Sequence, residues 1–479
     1  MDFPHLIFDK EIPVGFSDGD IISDLKLDLI FSEDVSRFLL LKPEKNTLLL
    51  RREAFKNLLA DPESSKKLSE LIDDLGECLE LYRAMTAAQS EKAAAYIFAF
   101  LMRSYAHFCT KAAALVGYGT LFDRFAHCFE QICADTDFAD AYRESQQLCQ
   151  SLAAASSFTM KTDGESAVIR PSRTDGISAS LKACAAELEI PIKERAPFSF
   201  VPAKSIAQAL STVYPEQFAP AVAFISKYRT KVSGQIFDYL DQLKFVYGII
   251  DFTRNAEKAN IPYCFPSLCE KKYIELYGVY DVTLLKKGCK DIVPNDVVFT
   301  EDEPFFFLTG ANGGGKTTYL RAVGSAILMF LAGAPVFCQG GQACLLSAVF
   351  THFPRDERFE GTGRFLDEKK RVDAILEKQD GNAMILLNET FSTTGEEKAI
   401  EQTDILANTL YKSGSFGLYI THQHDVNENK IPFLGVTVDE NDSNRRTYRI
   451  EKRRLAPRSF AKDILEKYHL DKASLDKRF

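Results

Sequence analysis

A glycine-rich loop between an apolar strand and a helix is the part of this chain best suited to chemistry. Residues 310–317 read GANGGGKT and match the spacing G-x-x-x-x-G-K-[ST] at every fixed position. Such a loop binds phosphate because free N–H groups at the first helical turn point at the anion, and glycines let the backbone curl around it. A glycine-rich turn that matches by chance is the alternative, and the flanking strand and helix argue against it.

Two side chains of this loop have distinct predicted roles. Lys316 would reach the outer phosphates as a mobile point charge, and Thr317 would offer its hydroxyl to Mg²⁺. Lys316 is therefore counted among the catalytic candidates as well. The predicted phosphate-binding residues are Gly310, Ala311, Asn312, Gly313, Gly314, Gly315, Lys316, Thr317 and Thr318.

Asn388 and Glu389 follow a continuous apolar run at 383–387. Such a run is typical of a buried parallel strand, and α/β sheets place their sites at the carboxyl ends of such strands. Glu389 is the candidate general base for an attacking water, and both residues are candidates for the magnesium site. Asn388 stands where an Asp is usual and adds no negative charge, so we expect weaker magnesium binding or slower hydrolysis. The alternative is a capped loop without a catalytic role.

His422 follows another apolar strand, at 417–420. A histidine after a strand end can sense a γ-phosphate by hydrogen bonding. Alone this is a weak signal, and its position after the strand that carries Glu389 strengthens it. The predicted catalytic residues are thus Glu389, His422 and Lys316.

The elements that must position these residues change character along the chain. Residues 1–275 are predicted to form a mostly α-helical core and lever domain. Within it, a small hairpin is predicted near 158–175 and one long helix near 216–258. Residues 276–455 show short apolar strands separated by turns and helices, which predicts an α/β P-loop domain. Residues 456–479 return to a helical pattern.

Composition narrows the class of protein. The 479 residues are 46% apolar and 26% charged, so large cores can form, and the net charge of −9 argues against a wholly basic nucleic-acid coat. Eleven scattered cysteines without a C-x-x-C spacing fit reduced thiols better than a disulfide framework. No signal pattern or membrane-spanning run is visible, so we expect a cytoplasmic protein without membrane contact.

Several segments, taken in order, resemble the MutS family of mismatch-repair ATPases, in the ABC-type branch of P-loop proteins. TGANGGGKTTYL is similar to the family's TGPNMGGKSTYM, and LLNETFSTT falls on LLDEIGRGT. The matching segments are VPND at 293–296, TGANGGGKTTYL at 309–320, GTGRFLDE at 361–368, LLNETFSTT at 386–394 and Thr421-His422. The resemblance is strong over about 290–425 and weak over 20–290.

The resemblance implies ATP and Mg²⁺ as cofactors and a homodimer joined through the ATPase domains. Each composite site would pair one subunit's phosphate loop with the partner's signature segment, which here places Thr362, Gly363 and Arg364 near the γ-phosphate. Gly363 replaces the family's serine, so Thr362 or Arg364 would substitute for it. Adenine would rest against Ile292 and Val293.

The departures from the family leave two functions open. We expect neither a mismatch-reading domain nor a Smr nuclease domain. The first hypothesis is a slowly ATP-hydrolysing dimeric clamp that acts on DNA structure, and the basic cluster at 445–454 would contact phosphate. The second is an ATP-gated protein-interaction switch with weak hydrolysis and no DNA binding, in which that cluster protects a strand edge.

Overall fold

A computed structural model describes the chain in stretches separated by gaps. The described residues are 3–16, 20–88, 90–155, 158–162, 167–171, 215–289, 291–310, 312–354, 364–391, 396–421, 431–438 and 446–453.

The chain forms two compact units. The helical unit comprises Met1–Lys10 and Lys56–Tyr247, and the sheet unit comprises Glu11–Phe55 and Gly248–Phe479. The predicted domain boundary between residues 275 and 276 stays a proposal. It places residues 11–55 and 248–275 in the helical domain, whereas the division into compact units places them in the sheet unit. The predicted helical segment at 456–479 lies outside the described residues.

The helices are given in chain order. They are α1 (Asp20–Asp24), α2 (Glu33–Leu39), α3 (Lys45–Ala60), α4 (Ser64–Thr86), α5 (Glu91–Ala113), α6 (Thr120–Ala134), α7 (Thr136–Ala155), α8 (Pro215–Tyr228), α9 (Tyr239–Lys258), α10 (Thr283–Lys286), α11 (Lys316–Leu331), α12 (Arg364–Lys378) and α13 (Glu396–Ser413). Short 3₁₀ turns are Leu27–Leu29, Arg229–Lys231 and Gly234–Asp238. No helix within the described ranges is long and apolar enough to cross a membrane.

The strands are likewise numbered in chain order. They are β1 (Phe158–Thr162), β2 (Ala167–Pro171), β3 (Ser267–Cys269), β4 (Ile274–Val279), β5 (Asn295–Phe299), β6 (Phe305–Thr309), β7 (Gly340–Cys344), β8 (Ala348–His352), β9 (Ala383–Asn388), β10 (Phe416–Ile420), β11 (Phe433–Val438) and β12 (Arg446–Arg453).

The helical unit packs around α5, which contacts α4, α6, α7 and α8. Residues 91–113 of α5 are apolar on most sides and rich in alanine, so neighbouring helices can approach it from several directions. Ser90 caps its first turn by accepting the N–H of Ala93 at 3.1 Å. Rings fill the core, as where Phe108 meets Phe129 edge to face at 5.3 Å between centroids.

One long helix at 216–258 was predicted, and this is wrong. The segment forms two α-helices, α8 and α9, separated by the 3₁₀ turns Arg229–Lys231 and Gly234–Asp238. Val232 between them has an extended backbone, with φ −104° and ψ 117°. Ser233 then caps the second turn through its hydroxyl, which accepts the N–H of Gln235 at 3.3 Å. The helical spacing of apolar residues therefore continues through the sequence, although the helix itself is interrupted at the turn that Ser233 caps.

The predicted hairpin corresponds to β1 and β2. These strands pair antiparallel, with Phe158 opposite Pro171 and Thr162 opposite Ala167. The residues that join the two strands lie outside the described ranges.

The sheet unit contains a six-stranded sheet in the order β12-β11-β6-β10-β9-β8 and a four-stranded sheet in the order β3-β7-β4-β5. In the larger sheet, β12 pairs antiparallel with β11, and the remaining neighbours are parallel. The strands β6, β8, β9 and β10 are buried throughout, as their apolar runs predict. The MutS-like segments therefore lie in a mixed α/β unit.

The strand register brings the candidate site to one edge of the larger sheet. Ile420 at the end of β10 lies opposite Leu308 of β6 and opposite Asn388 of β9. The loop that follows β6 and the residues that follow β9 consequently emerge at the same edge, where parallel sheets place ligand sites.

The segment Glu11–Phe55 is an integral part of the sheet unit. The carboxylate of Asp24 accepts the hydroxyl of Thr351 at 2.7 Å, and the backbone carbonyl of Asp24 accepts Nε–H of Arg321 at 3.0 Å. Arg321 lies on α11 behind the phosphate loop. Sequence reasoning missed this role of 11–55, because its contacts connect residues about 300 positions apart.

Candidate functional site

The glycines of the predicted phosphate loop take backbone conformations that other residues rarely adopt. Gly310, Gly313 and Gly315 have φ values of 139°, 72° and 94°. At Gly310 an added Cβ would also lie 2.9 Å from Cγ2 of Val436. Gly315 is the residue that precedes α11, so the loop leads directly into the N-terminal turn of that helix. This is the local arrangement that a phosphate-binding loop requires.

The ammonium group of Lys316 is held inside this loop. Nζ donates to the carbonyl of Gly310 at 2.7 Å and approaches Oδ1 of Asn312 at 3.5 Å, and Lys316 is only 5% exposed. Burial lowers the pKa of Lys316. The negative charge of Glu389 partly offsets this decrease, and the positive charge of Arg446 adds to it. A buried cation inside a glycine-rich loop is well suited to binding an anionic ligand.

A cavity of about 660 Å³ collects most of the predicted residues. This volume is within the usual range of small-molecule sites. The predicted residues that line it are Ile292, Val293, Asn312, Gly313, Gly314, Gly315, Lys316, Thr317, Thr318 and Glu389.

Other predicted residues do not line this cavity. Gly310 lies behind the loop, and Arg364 begins α12. Asn388 is the last residue of β9 and is 8% exposed. Ala311, Thr362, Gly363 and His422 lie outside the described residues.

The turn that carries Glu389 has an unusual backbone. Glu389 and Phe391 have φ values of 51° and 64°, in the left-handed region that non-glycine residues seldom occupy. The N–H of Glu389 donates to the carbonyl of Ile420 at 3.0 Å, which ties the turn to β10. Strain of this kind persists only where the surroundings enforce it, and it is frequent at functional sites.

The side chain of Asn388 presents an unused acceptor. Its Oδ1 is buried and has no hydrogen-bond partner among the residues that the structure describes. A buried carbonyl oxygen without a partner is costly, so a donor such as metal-bound water would stabilise it. The residue that replaces the usual Asp is thus positioned to accept a hydrogen bond.

Glu368 fixes the same turn, and sequence reasoning gave it no role. It lies on α12, is 5% exposed, and its Oε2 accepts the N–H of Phe391 at 3.2 Å. Beside it, the hydroxyl of Thr390 lies 3.1 Å from Nδ1 of the buried His352. The adjacent carboxylates Asp367 and Glu368 of the signature segment could have been noticed, but the partner of Glu368 on another element could not be read from the sequence.

Tyr448 is a second residue that the sequence did not single out. It lines the cavity, has φ 59°, and its ring lies against the loop, 3.3 Å from the position of a Cβ on Gly315. Asn295 holds it in place, since Nδ2 donates to the carbonyl of Tyr448 at 3.0 Å and Oδ1 accepts the N–H of Ile450 at 2.8 Å. Tyr448 lies within the basic segment 445–454, and nothing in the sequence of that segment indicates that its tyrosine lines the cavity.

The lining of the cavity also includes a buried carboxylate. Asp281 is 3% exposed, and its Oδ1 accepts both the N–H and the hydroxyl of Thr283, at 3.0 and 2.7 Å. Burial raises the pKa of Asp281, and the bonds from Thr283 partly offset this. Asp291 also lines the cavity, so both the ammonium group of Lys316 and several carboxylates contribute to its lining.

A sequence model of MutS domain V matches residues 306–459, which include the phosphate loop, the turn at Glu389 and strand β12. In this region the chain is similar to the MutS family. The resemblance read from the sequence motifs is thereby confirmed, and the match covers all six strands of the larger sheet except the first residue of β6.

Similar proteins share only part of their length with this chain. The DNA mismatch repair protein MutS of Lactobacillus delbrueckii is 26% identical over 209 residues, which cover 42% of this chain and 24% of that protein. The DNA mismatch repair protein MutS of Fervidobacterium nodosum is 28% identical over 182 residues, or 37% of this chain and 22% of that protein. The DNA mismatch repair protein MSH2 of Saccharomyces cerevisiae is 27% identical over 186 residues, or 38% and 19%. The matched region thus spans about a quarter or less of each relative.

Proposed function

We propose that this chain binds ATP in the cavity beside the phosphate loop and hydrolyses it slowly. The observation that carries the proposal is that Lys316, Thr317 and Glu389, predicted from separate motifs, line one cavity of suitable size. The end of this cavity at Lys316 would take the phosphates. Glu389 would orient and deprotonate the attacking water, which is the role expected of a carboxylate beside the outer phosphate.

The residues present fit a magnesium ion at the phosphate end. Thr317 would offer its hydroxyl, and the unpartnered Oδ1 of Asn388 would accept from a metal-bound water. Mg²⁺ would neutralise charge on the β- and γ-phosphate oxygens when bound. Because Asn388 carries no negative charge where an Asp is usual, we expect magnesium affinity to be modest.

The purine base would lie between Tyr448 and the segment of Ile292 and Val293. These side chains line the same cavity, and the ring of Tyr448 beside Gly315 offers a face on which a base can stack. This extends the base site predicted from sequence by one aromatic residue.

The proposal includes dimerisation through the ATPase domains. Thr362, Gly363 and Arg364 would reach the γ-phosphate of the ATP bound by the partner subunit. His422 would sense the γ-phosphate of the ATP bound by its own subunit. ATP would then hold two subunits together, and hydrolysis would release them. The support is similarity to the MutS family alone, since the relatives are DNA mismatch repair proteins.

DNA is the proposed partner of the dimer. A second candidate, an ATP-gated switch that binds only proteins, is favoured by one observation: β12 is an edge strand of the sheet. Lysine and arginine commonly protect such edges, and Lys452 of β12 forms an ion pair with Glu303. The basic cluster is thus accounted for without DNA.

Calorimetry tests the nucleotide site. ATP should bind the unaltered chain in the presence of Mg²⁺, and Lys316→Ala should weaken binding at least about tenfold, because it removes a buried charge that contacts phosphate. Lys66→Ala, on the exposed face of α4, is the matched control and should bind normally. Equal affinity of the Lys316 variant would refute the proposed phosphate site.

DNA binding separates the two candidate functions. Anisotropy would be measured with ATP at low salt for branched, mismatched and plain duplexes, followed by a salt titration of any complex. Binding that weakens steeply with salt supports the clamp. If no DNA form binds while ATP still changes the mass of the protein in solution, the interaction switch is favoured.

A further inference from the structure

Two cysteine thiols of the sheet unit, Cys264 and Cys338, lie in direct contact. Their Sγ atoms are 3.3 Å apart. Backbone pairing brings them together, since Cys264 and Val336 exchange two N–H···O bonds of 2.9 Å and form an isolated antiparallel bridge. The N–H of Cys338 also donates to the carbonyl of Val336 at 2.9 Å, which bends the chain toward Cys264. A disulfide has an S–S separation near 2.05 Å, so small side-chain rotations suffice to form one.

A buried arginine accompanies this pair. Arg52 is 7% exposed, and its Nη1 donates to the carbonyl of Pro266 at 2.6 Å. Its Nε and Nη2 have no hydrogen-bond partner among the described residues. The guanidinium also lies over the ring of Phe330, 5.2 Å from its centroid. A buried guanidinium with free donors beside a thiol is an environment that favours an anion there.

The pKa values of the two thiols are shifted in opposite directions. The hydrogen bond from Cys338 lowers the pKa of Cys264, burial opposes this, and the charge of Arg52 lowers the pKa further. The same hydrogen bond and burial raise the pKa of Cys338. Cys264 is half-buried and Cys338 is buried, so Cys264 is the thiol that a small solute can reach.

Other cysteines of the described chain lack this combination. Burial raises the pKa of Cys78, Cys109 and Cys149 in the helical unit. Cys269 and Cys344 lie opposite each other on the parallel strands β3 and β7, and burial raises both of their pKa values. This second pair provides a control within the same unit.

We propose that Cys264 and Cys338 are an oxidisable dithiol whose oxidant is a peroxide. The Cys264 thiolate attacks one oxygen of hydrogen peroxide, the O–O bond breaks, and Cys264 becomes a sulfenic acid while hydroxide leaves. The sulfur of Cys338 then attacks the sulfenic sulfur, an S–S bond forms, and water leaves with the thiol proton and the sulfenic hydroxyl. Arg52 stabilises the reactive thiolate. The bond would link the segment after α9 to the segment that follows α11.

Mass spectrometry of the full chain tests the pair. The protein is treated with a small excess of hydrogen peroxide, blocked with a maleimide under denaturing conditions, and digested without reductant. We expect a Cys264–Cys338 cross-linked peptide that dithiothreitol removes. The Cys269 and Cys344 thiols should be recovered in the blocked form under the same conditions. Absence of the first cross-link, or equal oxidation of the second pair, would overturn the proposal.

Variants assign the individual roles. With Cys338→Ser, Cys264 should accumulate as a sulfenic acid that dimedone labels, because no resolving thiol is present. Arg52→Met should slow oxidation of Cys264 about tenfold, because removing the buried charge leaves less of this thiol in the reactive thiolate form. Arg52→Lys keeps the charge and should remain near the unaltered rate. Equal rates in all three forms of residue 52 would exclude Arg52 from the proposed role.

Discussion

A polar cluster of the helical unit and the cavity of the sheet unit differ in how far their polar side chains satisfy one another. In the helical unit, Asp61, Lys67 and Tyr118 form a closed cluster in which Lys67 Nζ contacts the Asp61 carboxylate and the Tyr118 hydroxyl, each at 2.9 Å. The Tyr118 hydroxyl also donates to Asp61. In the sheet unit, Lys316 faces a cavity and Asn388 keeps an acceptor without a partner among the described residues.

The backbone shows the same contrast. The described residues of the helical unit have left-handed φ values only at Gly117 and Gly119, beside the loop before α6. The sheet unit holds Glu389 and Phe391 in that region, next to the cavity. Polar groups that satisfy one another add stability, whereas strained or unpartnered groups cost stability and are retained where a ligand uses them. The contrast therefore supports the proposal that the chemistry lies in the sheet unit.

The largest expected effect is at Glu389. Glu389→Gln keeps the shape of the side chain but removes the base, so ATP turnover should fall about 10²- to 10⁴-fold while ATP affinity changes little. Steady-state phosphate release and calorimetry measure the two quantities. Turnover that stays undiminished would remove Glu389 from the proposed role.

The matched control for Glu389 lies in the helical unit. Glu144 accepts the hydroxyl of Tyr228 at 2.7 Å and forms an ion pair with Lys227, both within that unit. Glu144→Gln should leave turnover unchanged. A comparable loss in this variant would abolish the contrast between the two units.

Much of the site could be predicted because it depends on short, local patterns. The strand before the loop, the glycines and the apolar run before Glu389 are contiguous in sequence, and their register follows from parallel pairing. Tyr448, Glu368 and the segment 11–55 could not be predicted, since their roles arise from contacts between distant positions. The prediction of one long helix at 216–258 failed although it used a local pattern. The apolar spacing is continuous there, but the segment is interrupted by a turn that the hydroxyl of Ser233 caps.

A second prediction concerns the turn that holds Glu389. Glu368→Ala removes the acceptor for the N–H of Phe391, so the turn should relax and kcat should fall about tenfold with KM little changed. Glu368→Gln retains an acceptor oxygen and should recover most of the loss. A purely structural role would lower the melting temperature in both variants without this difference in kcat.

The third prediction tests the closed cluster of the helical unit. Tyr118→Phe removes the hydroxyl that links Asp61 and Lys67, and should cost about 1–2 kcal/mol of unfolding free energy. ATP affinity should not change. Urea unfolding and calorimetry distinguish these outcomes, and a loss of ATP affinity with unchanged stability would contradict the assignment of this cluster to structure.

The same cluster predicts how stability depends on pH. The Tyr118 hydroxyl, followed by Lys67 and the backbone N–H of Glu63, lowers the pKa of Asp61 from its usual 3.8 to about 2. A carboxylate with a lowered pKa stabilises the fold above about pH 4, and this contribution is lost as the pH falls toward 2. In Tyr118→Phe the acid loss should be smaller, because the largest cause of the shift is absent. An identical acid dependence in both proteins would contradict this account.

The smallest expected effect is a proton taken up when ATP binds. Burial lowers the pKa of Lys316 in the free protein, and an anionic phosphate beside it would raise that pKa again. In the alkaline range between these two pKa values, binding must take up a proton, so affinity should fall as the pH rises through the pKa of the free protein. Calorimetry in buffers of different ionisation enthalpy measures the uptake. Lys316→Met should abolish the proton uptake, whereas Lys66→Met should leave it unchanged. Equal uptake in both variants would show that a group other than Lys316 titrates when ATP binds.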